Sequence, residues 1–94
     1  MERRIEFSDF RRILEWLENA DVMIRLRTSG EAWTPFSKLI LLSENAMILQ
    51  PANDRRMIVN IRSVVEFELD QPVSTCLADC IYTIGDNFQG KETG

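Results

Sequence analysis

Residues 57–69, MIVNIRSVVEFEL, set two alternating runs end to end with almost nothing between them. In the first, Met57, Val59 and Ile61 share a side. In the second, Val65, Phe67 and Leu69 oppose Glu66 and Glu68. A period of two means strands with one buried face. The junction Asn60-Ile61-Arg62-Ser63 is too short for an open hairpin loop, so a single 3₁₀-like turn that redirects the chain fits it best.

Working outward toward the N-terminus, the same grammar repeats. Residues 46–50 form a short strand expected to pair back on residues 39–42 across the tight Ser43-Glu44-Asn45 connection, and residues 51–54 are a loop tip. Residues 33–42 contain Pro35, which belongs at an edge or a bulge. Beyond it, Leu39-Ile40-Leu41-Leu42 is apolar on both faces, which predicts a strand covered on both sides or strongly bent. Residues 21–28 alternate, with Val22, Ile24, Leu26 and Thr28 opposed to Met23, Arg25 and Arg27. Ser29-Gly30-Glu31 supplies the turn that follows.

Residues 21–70 therefore read as about five consecutive strands. Ahead of them, residues 8–20 read as one amphipathic helix. Ser8 is placed to cap it, Asp9 sits in its first turn, and Phe10, Ile13, Leu14 and Leu17 form the buried stripe. Behind the strands, residues 73–84 form a C-terminal extension with two readings. Val73, Cys76, Leu77, Cys80, Ile81 and Ile84 keep helical spacing, whereas Ile81-Tyr82-Thr83-Ile84 alone reads as a strand; the longer spacing tips the balance to helix. Residues 86–94 are polar and read as a flexible tail.

The 94 residues suffice for a single domain with one core. Hydrophobic residues make up 45% and charged residues 28%, as in ordinary globular chains. No apolar run approaches the roughly 18 residues of a membrane span, and no signal-peptide pattern follows the first residues, so a cytoplasmic protein without membrane contact is expected. Net charge is −4, with the acidic excess after residue 62; this balance argues against a nucleic-acid binder, and no DNA partner is expected. There is no histidine. That removes imidazole acid–base chemistry, Ser-His and Cys-His nucleophile pairs and His-containing zinc sites.

A leading helix, then strands with a bent second member and a one-turn link between the fourth and fifth, resembles the Sm-like small β-barrel family. The runs Leu39-Ile40-Leu41-Leu42, Met57-Ile58-Val59-Asn60 and Ile61-Arg62-Ser63-Val64-Val65 are similar to those flanking its Sm2 region, the bacterial RNA-chaperone branch being nearest. Arg62-Ser63 stands where the Sm2 motif has Arg-Gly. The resemblance implies a mainly β fold with an N-terminal α-helix and a five-stranded small barrel, an SH3-like barrel being the alternative. It implies a homo-oligomeric ring, with Met57, Val59, Ile61, Val65 and Phe67 on the contact strands. It also implies RNA as the candidate ligand, held at Asn45, Asn60 and Arg62. The competing reading is a protein–protein interaction or structural module with no nucleic-acid role.

Other groupings carry less chemistry. Cys76 and Cys80 share a helical face, yet two thiolates without histidine are too few for a structural zinc unless a second subunit adds ligands; apolar packing suits them better. Glu66, Glu68 and Asp70 line one strand face, where they keep an edge soluble, pair with Arg25, Arg27 or Arg62, or hold a hard cation. Arg25 and Arg27 with Trp33, Phe36 and Tyr82 supply the ingredients of base stacking, against which stands ordinary core packing with balanced charges. No acid–base or nucleophile constellation is present, so neither an enzyme nor a cofactor is expected.

Overall fold

The alternating residues of β2 (Ile24–Thr28) and β6 (Val64–Leu69) meet side by side, antiparallel, with Ile24 across from Leu69 and Leu26 across from Phe67. Their apolar faces, Ile24, Leu26 and Phe67, are fully buried. The structure is a computed structural model that describes residues 2–70 and 81–85. Around this pair lie β1 (Glu2–Ile5), α1 (Phe7–Leu17), β3 (Ser37–Leu42), β4 (Ala46–Pro51), β5 (Met57–Asn60), a 3₁₀ turn at Ile61–Ser63 and β7 (Ile81–Ile84). All strands belong to one sheet in the order β1-β7-β6-β2-β3-β4-β5. The fold is mainly β with a single N-terminal helix among the described residues.

The expected closed barrel is corrected to an open seven-stranded mixed sheet. The reason lies in β7. It pairs with β6 at Glu66–Thr83 and Phe67–Tyr82, on the side of β6 away from β2. A small barrel would need that side of β6 to meet β5. With β7 there, β5 is left at one end of the sheet and β1 at the other.

β7 also corrects the helical reading of residues 81–84. Ile81 to Ile84 run parallel to Glu2 to Ile5 in four consecutive pairs. Ile-Tyr-Thr-Ile has strong strand preference, and pairing on both sides lets that preference prevail. Residues 73–80 and 86–94, the remainder of the extension and the tail, lie outside the described residues.

α1 starts one residue before Ser8. Glu6, in extended backbone (φ −86°, ψ 158°), holds the N-cap position, and its carbonyl accepts from the Asp9 and Phe10 amides. Strand β1 ends one residue earlier, so the strand end rather than the Ser8 hydroxyl sets where the helix begins. At the other end, the Asn19 and Ala20 amides donate to Trp16 and Leu17. These i→i−3 bonds tighten the last turn, and the helix ends at Leu17, three residues short of the expected end at residue 20. Its buried stripe, Phe10, Leu14 and Leu17, covers one face of the sheet. Phe10, Phe67 and Tyr82 stack in series, with ring centroids 4.9 and 5.0 Å apart.

β3 settles the bent-or-covered alternative in favour of the bend. A bulge between Leu39 and Leu41 shifts its register on β4. Leu39 stays in the core, while Leu41 emerges 53% exposed. Between β2 and β3, Glu31 closes a turn on Thr28 with Gly30 at φ +79°, a conformation glycine takes without a Cβ penalty.

Candidate functional site

The 3₁₀ turn expected between the last two alternating runs is present at Ile61–Ser63. Asn60 caps it: its Oδ1 accepts from the Arg62 amide at 2.9 Å. The Ile61 amide donates to the Asn45 carbonyl at 3.0 Å. These bonds gather Asn45, Asn60 and Arg62 at one end of the β4–β5 hairpin. The Arg62 guanidinium lies 4.2 Å from the Phe7 ring centroid, a cation–π contact that ties the turn to the start of α1. Asn60 and Arg62, with Thr28, Glu31, Thr34 and Ile58, line an open groove of about 510 Å³ between the loop after β2 and β5. Asn45 is not among its walls.

The side chains foreseen on contact strands go elsewhere. Val59, Ile61, Val65 and Phe67 are buried within the chain, and Met57 is half-buried against the core. β6 has neighbours on both sides, whereas β5 has a partner on one side alone among the described residues. Whatever β5 offers to another chain is therefore its backbone edge and its outward face.

The phase of that edge follows from one bond. Antiparallel pairs alternate between those that exchange backbone hydrogen bonds and those that do not. Because Ile61 donates to Asn45, and Ala46 stands across from Asn60, the bonded pairs are Asn45–Ile61, Met47–Val59 and Leu49–Met57. The Ser43 amide donating to the Ala46 carbonyl, on the β3 side, agrees. Ile58 belongs to a non-bonded pair, so its N–H and C=O point away from β4, on the side where β5 has no strand partner among the described residues.

Its side chain is exposed as well. Leu41 of β3 stands across from Ile48 of β4, and Ile48 stands across from Ile58 of β5. Leu41 is 53% exposed, Ile48 is half-buried and Ile58 is 77% exposed. The outer face therefore carries an apolar row that crosses three strands and ends on the unpaired one. None of these three residues was singled out from sequence. The signal was present: β3, β4 and β5 are each apolar on both sides of the pleat, where a sheet facing water on one side should alternate.

The other candidate groupings are engaged inside the protein. Arg25 meets Glu68 and Arg27 meets Glu66, each at 2.6 Å between residues directly opposite on β2 and β6. The Arg25 guanidinium also lies 4.7 Å from the Trp33 ring and 5.4 Å from that of Phe36. Asp70 Oδ1 accepts from the Met23 amide, and Tyr82 is buried. Of the alternatives for the Glu66-Glu68-Asp70 face, pairing with Arg25 and Arg27 is the one seen. No group of three or more potential metal ligands occurs among the described residues. Cys76 and Cys80 lie outside them.

The chain matches no protein-family model, no curated protein and no solved structure. No described helix is long and apolar enough to cross a membrane. The functional reading rests on the geometry above.

Proposed function

We propose that this chain is a protein-interaction module that takes up an extended polypeptide segment along the open edge of β5. The observation that carries the reading is the Leu41–Ile48–Ile58 row, which runs to an edge whose central N–H and C=O face outward. Strand addition draws its affinity from main-chain hydrogen bonds and its preference from alternate side chains. Here the preference is for an apolar residue beside Ile58. Charges that commonly guard edge strands are missing from Met57–Asn60, although Arg55, Arg56 and Arg62 flank it.

RNA in the groove is the second reading, and one observation favours it: Asn60 and Arg62 share a wall there, as the Sm-like resemblance implies. Against it, Arg25 and Arg27 are held by carboxylates, and the net charge is −4. A ring of the Sm kind would also require an edge of β6, and β7 pairs there.

Fluorescence anisotropy separates the two. A labelled peptide of alternating Thr and Val should bind, its central-proline counterpart should not, and Ile58→Lys should weaken binding at least about tenfold. Binding unaffected by both changes sinks the reading. Salt-sensitive binding of labelled oligouridine, lost in Arg62→Ala, would establish the second reading in its place.

A further inference from the structure

Resting on the strand-addition reading, we infer that the segment β5 takes up is the β5 of a second copy, in an antiparallel pair whose two-fold axis passes between the two Ile58 residues. Three arguments fix this occupant and this register.

The backbone comes first. Residues of β5 alternate in the direction of their polar groups, with Ile58 facing outward. An antiparallel neighbour must set outward residues against outward residues. Ile58 can therefore stand opposite Arg56, Ile58 or Asn60 of the partner, and not opposite Met57 or Val59.

Side chains choose among these, because directly opposed residues share a face. Opposite Arg56, Ile58 would press its apolar surface on a guanidinium. Opposite Asn60, the same register would set Arg56 against Arg62, like against like. Opposite its own copy, Ile58 meets Ile58, Met57 meets Val59 and Arg56 meets Asn60. Beyond the strand ends, Asp54 in the loop before β5 and Arg62 in the 3₁₀ turn after it lie four residues either side of Ile58, so this two-fold arrangement brings opposite charges to the same side of the pair. Arg56 is already drawn back over β4, its Nε donating to Gln50 Oε1 at 3.1 Å. The apolar row then continues through the axis as Leu41, Ile48 and Ile58 of one copy followed by Ile58, Ile48 and Leu41 of the other.

The remaining edge argues against a head-to-tail arrangement. β1, at the far end of the sheet, carries Glu2, Arg3 and Arg4 in its four residues, and charge on an edge opposes strand addition. β5 has no charge in its four residues. The unguarded edge meets itself, which closes the assembly at two copies. Four residues of strand and three side chains per copy fall well short of the roughly 800 Å² per partner of a standard interface, so the dimer is a weak one, with a dissociation constant on the order of 10–100 μM.

Sedimentation velocity from about 5 μM to about 500 μM tests this. The wild-type chain should shift from monomer to dimer across that range, and Ile58→Lys should remain monomeric. Asp54→Arg alone and Arg62→Asp alone should each weaken the dimer several-fold, and the double variant should restore it. Chemical denaturation of each variant verifies that it is folded, and Asp54→Arg alone suffices if Arg62→Asp is not. A wild-type monomer throughout, or a dimer indifferent to Ile58→Lys, overturns the inference. A monomer that still binds the Thr-Val peptide overturns the self-pairing alone; a monomer that ignores the peptide overturns the strand-addition reading as well.

Discussion

Ile58 stands directly across from Ile48 without sharing a backbone hydrogen bond with it, so its polar backbone points away from β4, and its exposed side chain stands on the wall of the groove. Its neighbour Val59 has the opposite disposition: buried side chain, backbone bonded to Met47. Two adjacent residues of one strand thus face opposite ways, one into the core and one outward.

That division predicts opposite outcomes on truncation. Val59→Ala should cost about 1–3 kcal/mol of folding stability, since it removes buried methyl groups from a filled core. Ile58→Lys should change stability by no more than about 0.5 kcal/mol, the usual range for exposed positions. Urea denaturation of both variants at low protein concentration checks this.

The aromatic series Phe10–Phe67–Tyr82 joins the helix to β6 and β7. Phe67→Ala, at its centre, should cost about 3–5 kcal/mol, a large part of what a domain of this size possesses. Tyr82→Ala should be comparably costly because β7 is packed into the core as a strand. A Tyr82→Ala loss under about 1 kcal/mol in the same denaturation series would show that β7 contributes little.

β7 also marks the limit of what the residues disclose on their own. Local alternation was enough for β2, the pairing of β3 with β4, and the 3₁₀ turn at Ile61–Ser63, because each is decided by neighbours in sequence. β1 was not legible, since Glu2-Arg3-Arg4-Ile5 has no alternation and becomes a strand through its parallel pairing with Ile81–Ile84. That contact spans nearly the whole chain, and no local periodicity encodes it. The open sheet follows from the pairing of the same strand, β7, with β6. Asn60 and Arg62 lie together because a short turn sets them two residues apart, whereas Asn45 reaches that turn only through the Ile61 amide, a contact across strands. The Leu41–Ile48–Ile58 row needed the register across three strands, which a bulge in β3 resets between Leu39 and Leu41.

Arg25–Glu68 and Arg27–Glu66 are cross-strand pairs on a half-exposed face. Water screens them, so a double-mutant cycle on Arg27 and Glu66 should return a coupling of about 1 kcal/mol or less, shrinking as salt is raised. A coupling above about 3 kcal/mol would mean that the pair is far drier than its exposure indicates.

Asn60 caps the 3₁₀ turn through the Arg62 amide. Asn60→Ala should cost about 1 kcal/mol and Asn60→Asp substantially less, because the carboxylate can accept the same bond. If Ala and Asp were equally costly by thermal denaturation, the amide contact would not be what holds the turn.

Hydrogen exchange at the Ile58 amide, followed by NMR at several protein concentrations, probes the edge most directly. Met57, Val59 and Ile61 amides point inward and should be protected whether the protein is dilute or concentrated. The Ile58 amide should exchange freely when dilute and gain protection of about tenfold or more as concentration rises through the dimer range, a gain that Ile58→Lys abolishes at that position. An Ile58 amide that stays equally unprotected at the highest concentration would contradict self-pairing at β5.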